Sequence, residues 1–599
     1  MGPHMRKQEK PADIKKSLKK LLKYMGKYRF ALIAVALFAV LSTVFSVIGP
    51  KIMGKATTEL AEGLIAKVKG TGGIEFGKIG RILIITLIIY SISLLFNLIQ
   101  GLTMTHITQK ICYRLRKEIS EKINRMPVGY FEERPLGDVL SRITNDVDTL
   151  GMGLNTSVTQ MITSFATIIG VIVMMLTISP LMTLITLIIL PVSAFLISLL
   201  VKVSQKHFKN QQNYLGKVNG IVEESYGGQV IIRAFSKEDD QIEQFEETND
   251  KLYEAASKSQ FLSGLMMPIM TFVGNLGYGA VVIMGGKLAI KGTIGIGDIQ
   301  AFLQYIKNFT QPLTQVAQVF NQVQTAAAAS ERIFGFLEED EEIEVEESDE
   351  IKAIDHVDGH VTFENVSFGY NPDKTIINNL NLDIEAGKQV AIVGPTGAGK
   401  TTIVKLLMRF YDVDSGRILL DGRDIKDFDR RHLREFFGMV LQDTWLFKGT
   451  IMENIRYGNP EATDEMVIEA AKAARAHHFI KTLPDGYDMV INEEGTNISR
   501  GEKQLITIAR AILADNPVLI LDEATSSVDT RTENLIQEAM ARLIKGRTGF
   551  VIAHRLSTIR DADIILVVKD GDIVEQGNHQ ELLAKNGFYA ELYNSQFKE

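Results

Sequence analysis

The sequence predicts a two-part molecule: an α-helical membrane half of six spanning helices with long helical extensions, followed by a soluble α/β half. Three observations predict it. Long apolar runs crowd the first 320 residues, although 23% of the 599-residue chain is charged. The residues Gly394, Pro395, Thr396, Gly397, Ala398, Gly399, Lys400 and Thr401 fit the phosphate-binding pattern G-x-x-x-x-G-K-[ST]. Downstream, Val518-Leu-Ile-Leu-Asp522-Glu523 reads as an apolar strand ending in two carboxylates. The chain is long enough for several domains.

The elements follow in order. Met1-Gly-Pro-His4 reads as an expression scar, so residues 1–12 form a scar and a flexible start. Lys15, Lys16, Lys19, Lys20, Lys23, Lys27 and Arg29 alternate with Leu18, Leu21, Leu22 and Tyr24. This is the pattern of an amphipathic helix lying on a membrane surface. Apolar stretches near 30–49, 82–100, 157–178, 181–201, 261–284 and 298–320 are each long enough to span a bilayer of about 30 Å. The basic start predicts that the N-terminus, and after six spans the C-terminus, lies in the cytoplasm. The region 50–81 then reads as an outer loop, despite Lys51, Lys55, Lys67, Lys69 and Lys78. The charged, helix-patterned gaps after the second and fourth spans predict helical hairpins reaching some 35–40 Å beyond the membrane. The transmembrane domain runs over 13–337. The acidic run Glu338–Glu350 reads as a solvated linker over 338–357, and the soluble domain as 358–599.

Composition narrows the function. With 65 Lys and Arg against 72 Asp and Glu, the net charge is −7, which argues against a nucleic-acid partner. The single cysteine, Cys112, excludes an internal disulfide and a cysteine-rich metal site.

The phosphate loop carries the chemistry. The apolar run Gln389–Val393 before it reads as a strand, and the segment after Thr401 as a helix. Successive N–H groups and a helix N-terminus then converge on one anion. Lys400 should reach the β- and γ-phosphates of ATP, Thr402 lies in the same turn, and Thr401 should ligate Mg²⁺. Asp522 would hold Mg²⁺ through water, and Glu523 would orient and polarise the attacking water as general base. Ser499-Arg-Gly-Glu502 has the capping-box spacing and predicts a helix over 500–514.

At this point the chain resembles ATP-binding-cassette (ABC) proteins. Asn497-Ile-Ser-Arg-Gly-Glu-Lys-Gln504 is similar to their signature motif, and Ser526-Ser-Val-Asp529 to their D-loop. Gln442 with Asp443-Thr-Trp-Leu-Phe447 resembles their Q-loop, Ile552-Ala-His554-Arg their switch-histidine loop, and Phe368-Gly-Tyr370 their adenine-stacking loop. In the first half, Met126–Phe131, Gly137–Arg142 and Asn145–Asp148 resemble the first cytoplasmic loop of ABC exporters. Glu223-Glu224 through Phe235 resembles the second. The resemblance implies a half-transporter whose cassette closes head-to-tail on a second one around two ATP molecules. Tyr370 would stack on adenine, Gln442 would contact Mg²⁺, and His554 would contact the γ-phosphate. Ser499, Gly501, Glu502 and Asp529 would complete the partner's site.

One departure is informative. The usual signature reads Leu-Ser-Gly-Gly-Gln; here Arg500 replaces a glycine and Glu502 a neutral glutamine. Complete catalytic residues beside an irregular signature resemble one chain of a heterodimeric bacterial exporter, whose partner has a regular signature and a degenerate Walker B strand. In the sixth span, Gln304, Asn308, Gln311, Gln315, Gln318 and Gln322 share one helix face. That face should meet water, substrate or another helix, and its neutrality suits amphiphiles. The expectation is therefore ATP-driven, multidrug-type export of amphiphilic compounds across a bacterial cytoplasmic membrane, with lipid as a further contact. A lipid flippase, a homodimeric exporter or, remotely, a non-transport ABC ATPase are the alternatives.

Overall fold

The computed structural model describes residues 14–597 except 344, 372–373, 442–443, 493–494, 496, 523–527 and 553–558. At 14–15, 18, 136, 189–190, 192–194, 197, 201, 267, 270, 310, 313–314, 316–318, 320–321 and 596–597 it describes the backbone alone. Two units result. The first comprises the chain up to Asn124 together with Pro135–Glu339; the second comprises Asp340–Glu599 together with Arg125–Arg134.

The first unit is helical. Its helices are α1 (Ile14–Met25), α2 (Arg29–Val68) and α3 (Phe76–Ile123). After α4 (Val128–Glu133), which belongs to the second unit, come α5 (Leu136–Ser141), a π-helical turn (Arg142–Asp146) and α6 (Val147–Ile178). Then follow α7 (Pro180–Gly227), α8 (Gln229–Ala234), α9 (Glu238–Gly264), α10 (Met266–Ile290) and α11 (Ile296–Leu337). Among the described residues, Lys19–Val68, Phe76–Ile123, Gly137–Ile178 and Thr271–Ile290 are long and apolar enough to cross a membrane. The expected spans at 181–201 and 298–320 fall within α7 and α11, several of whose side chains there lie outside the described residues. The fifth expected span, 261–284, is interrupted at Leu265, between α9 and α10. Helices α3 and α7 have 48 residues each. At 1.5 Å per residue each exceeds a bilayer's thickness by about 40 Å.

The expected loop at 50–81 is a correction. Helix α2 continues to Val68 and α3 begins at Phe76, so only 69–75 lie outside helix. Pro50 does not end α2, which runs on to Val68, and a neighbouring helix contacts the turn before it. Proline brings no N–H, so the Ser46 carbonyl four residues back loses its helical donor; beside it, the Tyr305 hydroxyl of α11 donates to the Val47 carbonyl at 2.8 Å. Close to this point α2 and α11 nearly touch. A Cβ on Gly297 would lie 1.7 Å from the Gly54 carbonyl oxygen. Thr58 Oγ1 there accepts from the Gly297 N–H at 3.1 Å. Between α2 and α3, Ser42 and Ser93 each donate a hydroxyl to the other's backbone carbonyl, at 2.9 and 2.8 Å. Phe302, Tyr305 and Phe309 of α11 pack with Val171 and Met175 of α6, Met182 of α7 and Val281 of α10. The π turn ends in the buried Asp146, which accepts from Arg332 Nε (2.9 Å) and Nη2 (2.5 Å) of α11.

The expected N-terminal helix forms as α1 and packs partly on protein. Leu21 and Met25 of α1 are buried within the unit. Tyr24 packs edge-on against Phe334 of α11 and donates its hydroxyl to Glu118 of α3. Its apolar side is therefore satisfied largely by protein, while Leu22 stays exposed.

The second unit is α/β. Its main sheet has the order β12-β11-β3-β10-β9-β6, formed by β3 (Gln389–Val393), β6 (Phe437–Val440), β9 (Val518–Asp522), β10 (Thr548–Ile552), β11 (Ile564–Lys569) and β12 (Asp572–Gly577). All neighbours pair in parallel except β11 with β12. The central strands are apolar apart from their end residues Gln389, Asp522 and Thr548, as strands covered on both faces must be. An antiparallel sheet of β1 (Val361–Phe368), β2 (Ile377–Ile384), β4 (Ser415–Leu420) and β5 (Arg423–Asp424) completes one core. A second core gathers around α18 (Arg500–Ala514) and α19 (Thr530–Ile544).

The acidic run is pinned at three points, while Asp340, Glu346, Asp349 and Glu350 stay exposed. Glu341 pairs with Arg125, Glu342 with Arg434, and Glu347 with His432, at 2.8, 3.6 and 2.8 Å. The partners Arg125, His432 and Arg434 lie at distant sequence positions, so the run's local composition could not reveal them.

Candidate nucleotide site and membrane cavity

The phosphate loop joins β3 to the helix Lys400–Leu407 (α13). Gly397 and Gly399 have φ of +83° and +105°, left-handed values that residues with a Cβ avoid. A Cβ at Gly394 would lie 2.1 Å from the Val568 carbonyl oxygen. These glycines fold the backbone so that the N-terminus of α13 opens at the loop. The Lys400 ammonium donates to the carbonyls of Gly394 (2.8 Å) and Pro395 (3.0 Å). Burial lowers the Lys400 pKa, and the Asp522 carboxylate opposes this only in part. Sheet register explains how Asp522 comes near. Ile392 of β3 stands opposite Ile552 of β10, and Ile552 opposite Asp522 of β9. The loop and Asp522 therefore leave the sheet at its carboxyl end, where open parallel sheets bind ligands.

Tyr370 stands beside α13. Its hydroxyl is 3.2 Å from Thr402 Oγ1, and its ring meets Phe368 and Tyr411 edge-on at 5.1 Å each. The Lys405 ammonium lies 5.5 Å from the Tyr370 ring centre. Lys405 and the Tyr411 hydroxyl both donate to Glu132, at 2.7 and 2.8 Å. Glu132 closes α4, the segment from the first half that packs in this unit. Gly129 gives α4 its close approach: a Cβ there would lie 2.9 Å from the Tyr411 ring. Sequence reading singled out Met126–Phe131 but missed Glu132, Lys405 and Tyr411, which belong to no motif and meet only through folding.

The signature helix begins where the capping box predicted. Ser499 Oγ accepts from the Glu502 N–H (3.4 Å), and Glu502 Oε2 accepts from the Ser499 N–H (2.9 Å) and hydroxyl (2.7 Å). Glu502 thus places its own carboxylate at the helix N-terminus. Gly501 permits close packing, since a Cβ there would lie 2.4 Å from Thr532 of α19. Asp529 caps α19, accepting from the N–H groups of Arg531 (3.1 Å) and Thr532 (3.0 Å); the Thr532 bonds hold its carboxyl below the usual range. Arg510 donates to the Trp445 carbonyl (3.2 Å) and the Asn454 carbonyl (2.8 Å), and so ties α18 to the segment after Gln442. The Trp445 side chain is 69% exposed. Gln442, Glu523 and His554 lie outside the described residues.

The first unit contains a polar cavity of about 570 Å³ between α2, α3, α6 and α11. Ser42 and Ser46 line it from α2, and Asn97 and Gln100 from α3. From α6 come Asn155, Thr159, Thr163 and Thr167, at four-residue spacing. Among the described side chains of the α11 row, Gln315 reaches it. Gln315 Oε1 also accepts from Ser164 (3.4 Å), and Gln322 Oε1 from Thr156 (2.7 Å). Part of the row therefore meets α6. Gln304 donates to Asn308 (3.3 Å), Gln311 is exposed, and the Gln318 side chain lies outside the described residues. The α6 row was missed by sequence reading, though its period of four inside an apolar span is a usable signal.

A membrane helix bundle joined to a parallel-sheet phosphate-loop domain with a signature helix defines a transport ATPase of the ABC type. Residues 32–313 match the family model of the ABC transporter transmembrane region, and 377–526 that of the ABC transporter. A fatty acid ABC transporter ATP-binding/permease protein of Mycobacterium bovis is 44% identical, over 98% of this chain and 97% of its own length. An ATP-dependent lipid A-core flippase of Syntrophus aciditrophicus is 40% identical, over 84% and 83%. A putative multidrug export ATP-binding/permease protein of Bacillus subtilis is 38% identical, over 81% and 84%. The chain belongs to the ABC transporter family, as a half-transporter with an exporter-type membrane region and its ATP-binding domain on one chain. It is a multi-pass membrane protein and binds ATP, and as a half-transporter it works with a second half.

Proposed function

We propose that the chain is one half of an ATP-driven exporter of amphiphilic compounds in a bacterial cytoplasmic membrane, with both termini in the cytoplasm. The observation that carries this reading is the neutral polar cavity inside an otherwise apolar helical unit. Such a cavity offers hydrogen bonds to a polar headgroup, while the surrounding helices suit an apolar tail. The relatives named for fatty acid, lipid A-core and multidrug handling support an amphiphilic cargo.

In this reading Lys400 and the α13 N-terminus hold the β- and γ-phosphates, and Tyr370 stacks on adenine. Thr401, Gln442 and Asp522 would hold Mg²⁺, a fit supported by the position of Asp522 and the loop at one sheet end. The metal, when bound, would neutralise charge on the phosphates. Glu523 orients and deprotonates the attacking water, and His554 contacts the γ-phosphate. Ser499, Gly501, Glu502 and Asp529 face the ATP of the opposite chain. The irregular Ser499–Glu502 signature favours a different second subunit.

Inverted vesicles containing the chain and its partner test the reading. ATP should drive an amphiphilic dye into them, and Lys400→Ala should abolish uptake. Dye movement that ignores ATP and this substitution would refute it.

A further inference from the structure

We propose that the cavity between α2, α3, α6 and α11 takes an uncharged headgroup rich in hydrogen-bond donors, a hydroxylated group in particular, and discriminates against carboxylate and quaternary ammonium headgroups. The inference deepens the exporter reading and rests on it. It comes from three features of the cavity.

The lining is uncharged. Among the described residues its lining is serine, threonine, asparagine, glutamine and one glycine, with no Lys, Arg, His, Asp or Glu. A full charge entering such a site gives up its hydration and finds only dipoles in return, whereas a neutral hydroxyl exchanges one hydrogen bond for another.

The lining also holds acceptors that the protein leaves unpaired. Gln100 is 1% exposed, and its Oε1 has no hydrogen-bond partner among the described residues. Thr159 Oγ1, on the facing helix α6, is likewise buried and unpaired. Buried polar groups in folded proteins are nearly always paired, so such atoms ask for a ligand or water. A carboxamide oxygen only accepts, and its partner must donate. A carboxylate or a quaternary ammonium has no such proton to offer. A hydroxyl can donate to Oε1 and accept from Nε2.

The size fits a headgroup. A volume of about 570 Å³ lies within the roughly 300–1,000 Å³ of small-molecule pockets. The helices around it expose apolar side chains such as Leu94, Leu98 and Phe165, which suits a tail leaving the cavity.

The experiment uses the full-length chain in lipid nanodiscs and a diazirine-bearing decyl glucoside as photolabel, with adducts mapped by peptide mass spectrometry. Decyl glucoside, decanoate and decyltrimethylammonium share a chain length and differ in headgroup, so they serve as competitors. Labelling should fall on 93–105 and 155–167, and the glucoside should compete at least about tenfold better than either ion. Gln100→Leu should weaken labelling about fivefold, the scale of one lost hydrogen bond. Gln100→Glu keeps the acceptor and adds charge, so it should raise competition by decyltrimethylammonium; this gain separates a changed site from a misfolded one. Equal or better competition by decanoate, or labelling confined to other segments, overturns the proposal. The exporter reading fails separately. ATP-dependent movement of any of the three amphiphiles keeps it even if the labelling pattern is wrong. Correct labelling without ATP-dependent movement would sink the exporter reading and leave the headgroup preference standing.

Discussion

Glu132 joins the membrane half's sequence to the tyrosine proposed to carry adenine. It accepts from Lys405 and Tyr411, and both partners pack on the Tyr370 ring. Burial pushes its carboxyl up, but the hydrogen bonds from Lys405 and Tyr411 more than offset this and hold it below the usual range. A depressed carboxyl contributes stability above its unfolded pKa and loses it as pH falls through the folded value. The contact is therefore intact at neutral pH and weakens only in acid, below the usual carboxylate range. Glu132→Gln should mimic that loss at pH 7: amide exchange over 128–133 should speed up about fivefold, on the scale of one charge-assisted bond in a half-exposed setting. Unchanged protection would show that α4 is held by packing alone. Glu523→Gln addresses the chemistry. Turnover should fall about 10²–10⁴-fold while ATP binding survives, as measured by phosphate release beside nucleotide binding. Wild-type turnover would remove Glu523 from the role of base.

At the scale of elements, the acidic run after α11 is held by His432. Its Nδ1 is 2.8 Å from Glu347 and its Nε2 is 2.9 Å from the Ile354 carbonyl. Both neighbours are acceptors, so both ring nitrogens must donate, which only the imidazolium can do. Burial pulls the His432 pKa down, but these two partners more than reverse it and raise the value. A raised histidine pKa stabilises below its unfolded value, near 6.5, and that contribution is lost as pH rises through the folded value. Docking of 345–356 should therefore loosen on moving from pH 6 to above the raised value. Amide exchange corrected for intrinsic rates should show it, and His432→Gln should flatten the dependence. A pH-independent profile in the wild type would contradict the imidazolium. Helix α2 shows a different lesson at this scale: it continues through Pro50, and Tyr305 of α11, far away in sequence, donates to the Val47 carbonyl in the turn before it.

At the scale of the whole molecule, the signature helix bears on the second half. The Ser499 hydroxyl donates to Glu502 of its own chain. A phosphate facing this helix would meet a carboxylate already occupying the N-terminal donors. Purified alone, the chain should therefore show weak ATPase. Mixing with a partner chain that bears a regular signature should raise it. Arg500→Gly combined with Glu502→Gln should raise the activity of the lone chain several-fold and alter the mixed assembly less. Fast ATPase from the unmodified chain alone would identify a homodimer.

What sequence alone determined were the features set by local rules. The strand Gln389–Val393, the strand Val518–Asp522 and the helix Arg500–Ala514 appear at the bounds that hydrophobic runs and a capping box dictate. The phosphate loop was legible because its glycines answer to backbone geometry within eight residues. Tertiary structure decided what depends on residues meeting across the chain. It set Tyr305 of α11 against the turn before Pro50, turned the N-terminal helix onto α3 and α11, and drew the acidic run onto Arg125, Arg434 and His432. It also gathered Ser42, Gln100, Thr159 and Gln315 from four helices into one cavity. Period and composition report which face of an element is polar, but not which distant element will face it. That is chosen by packing, where burying an unpaired polar group costs more than any local preference supplies.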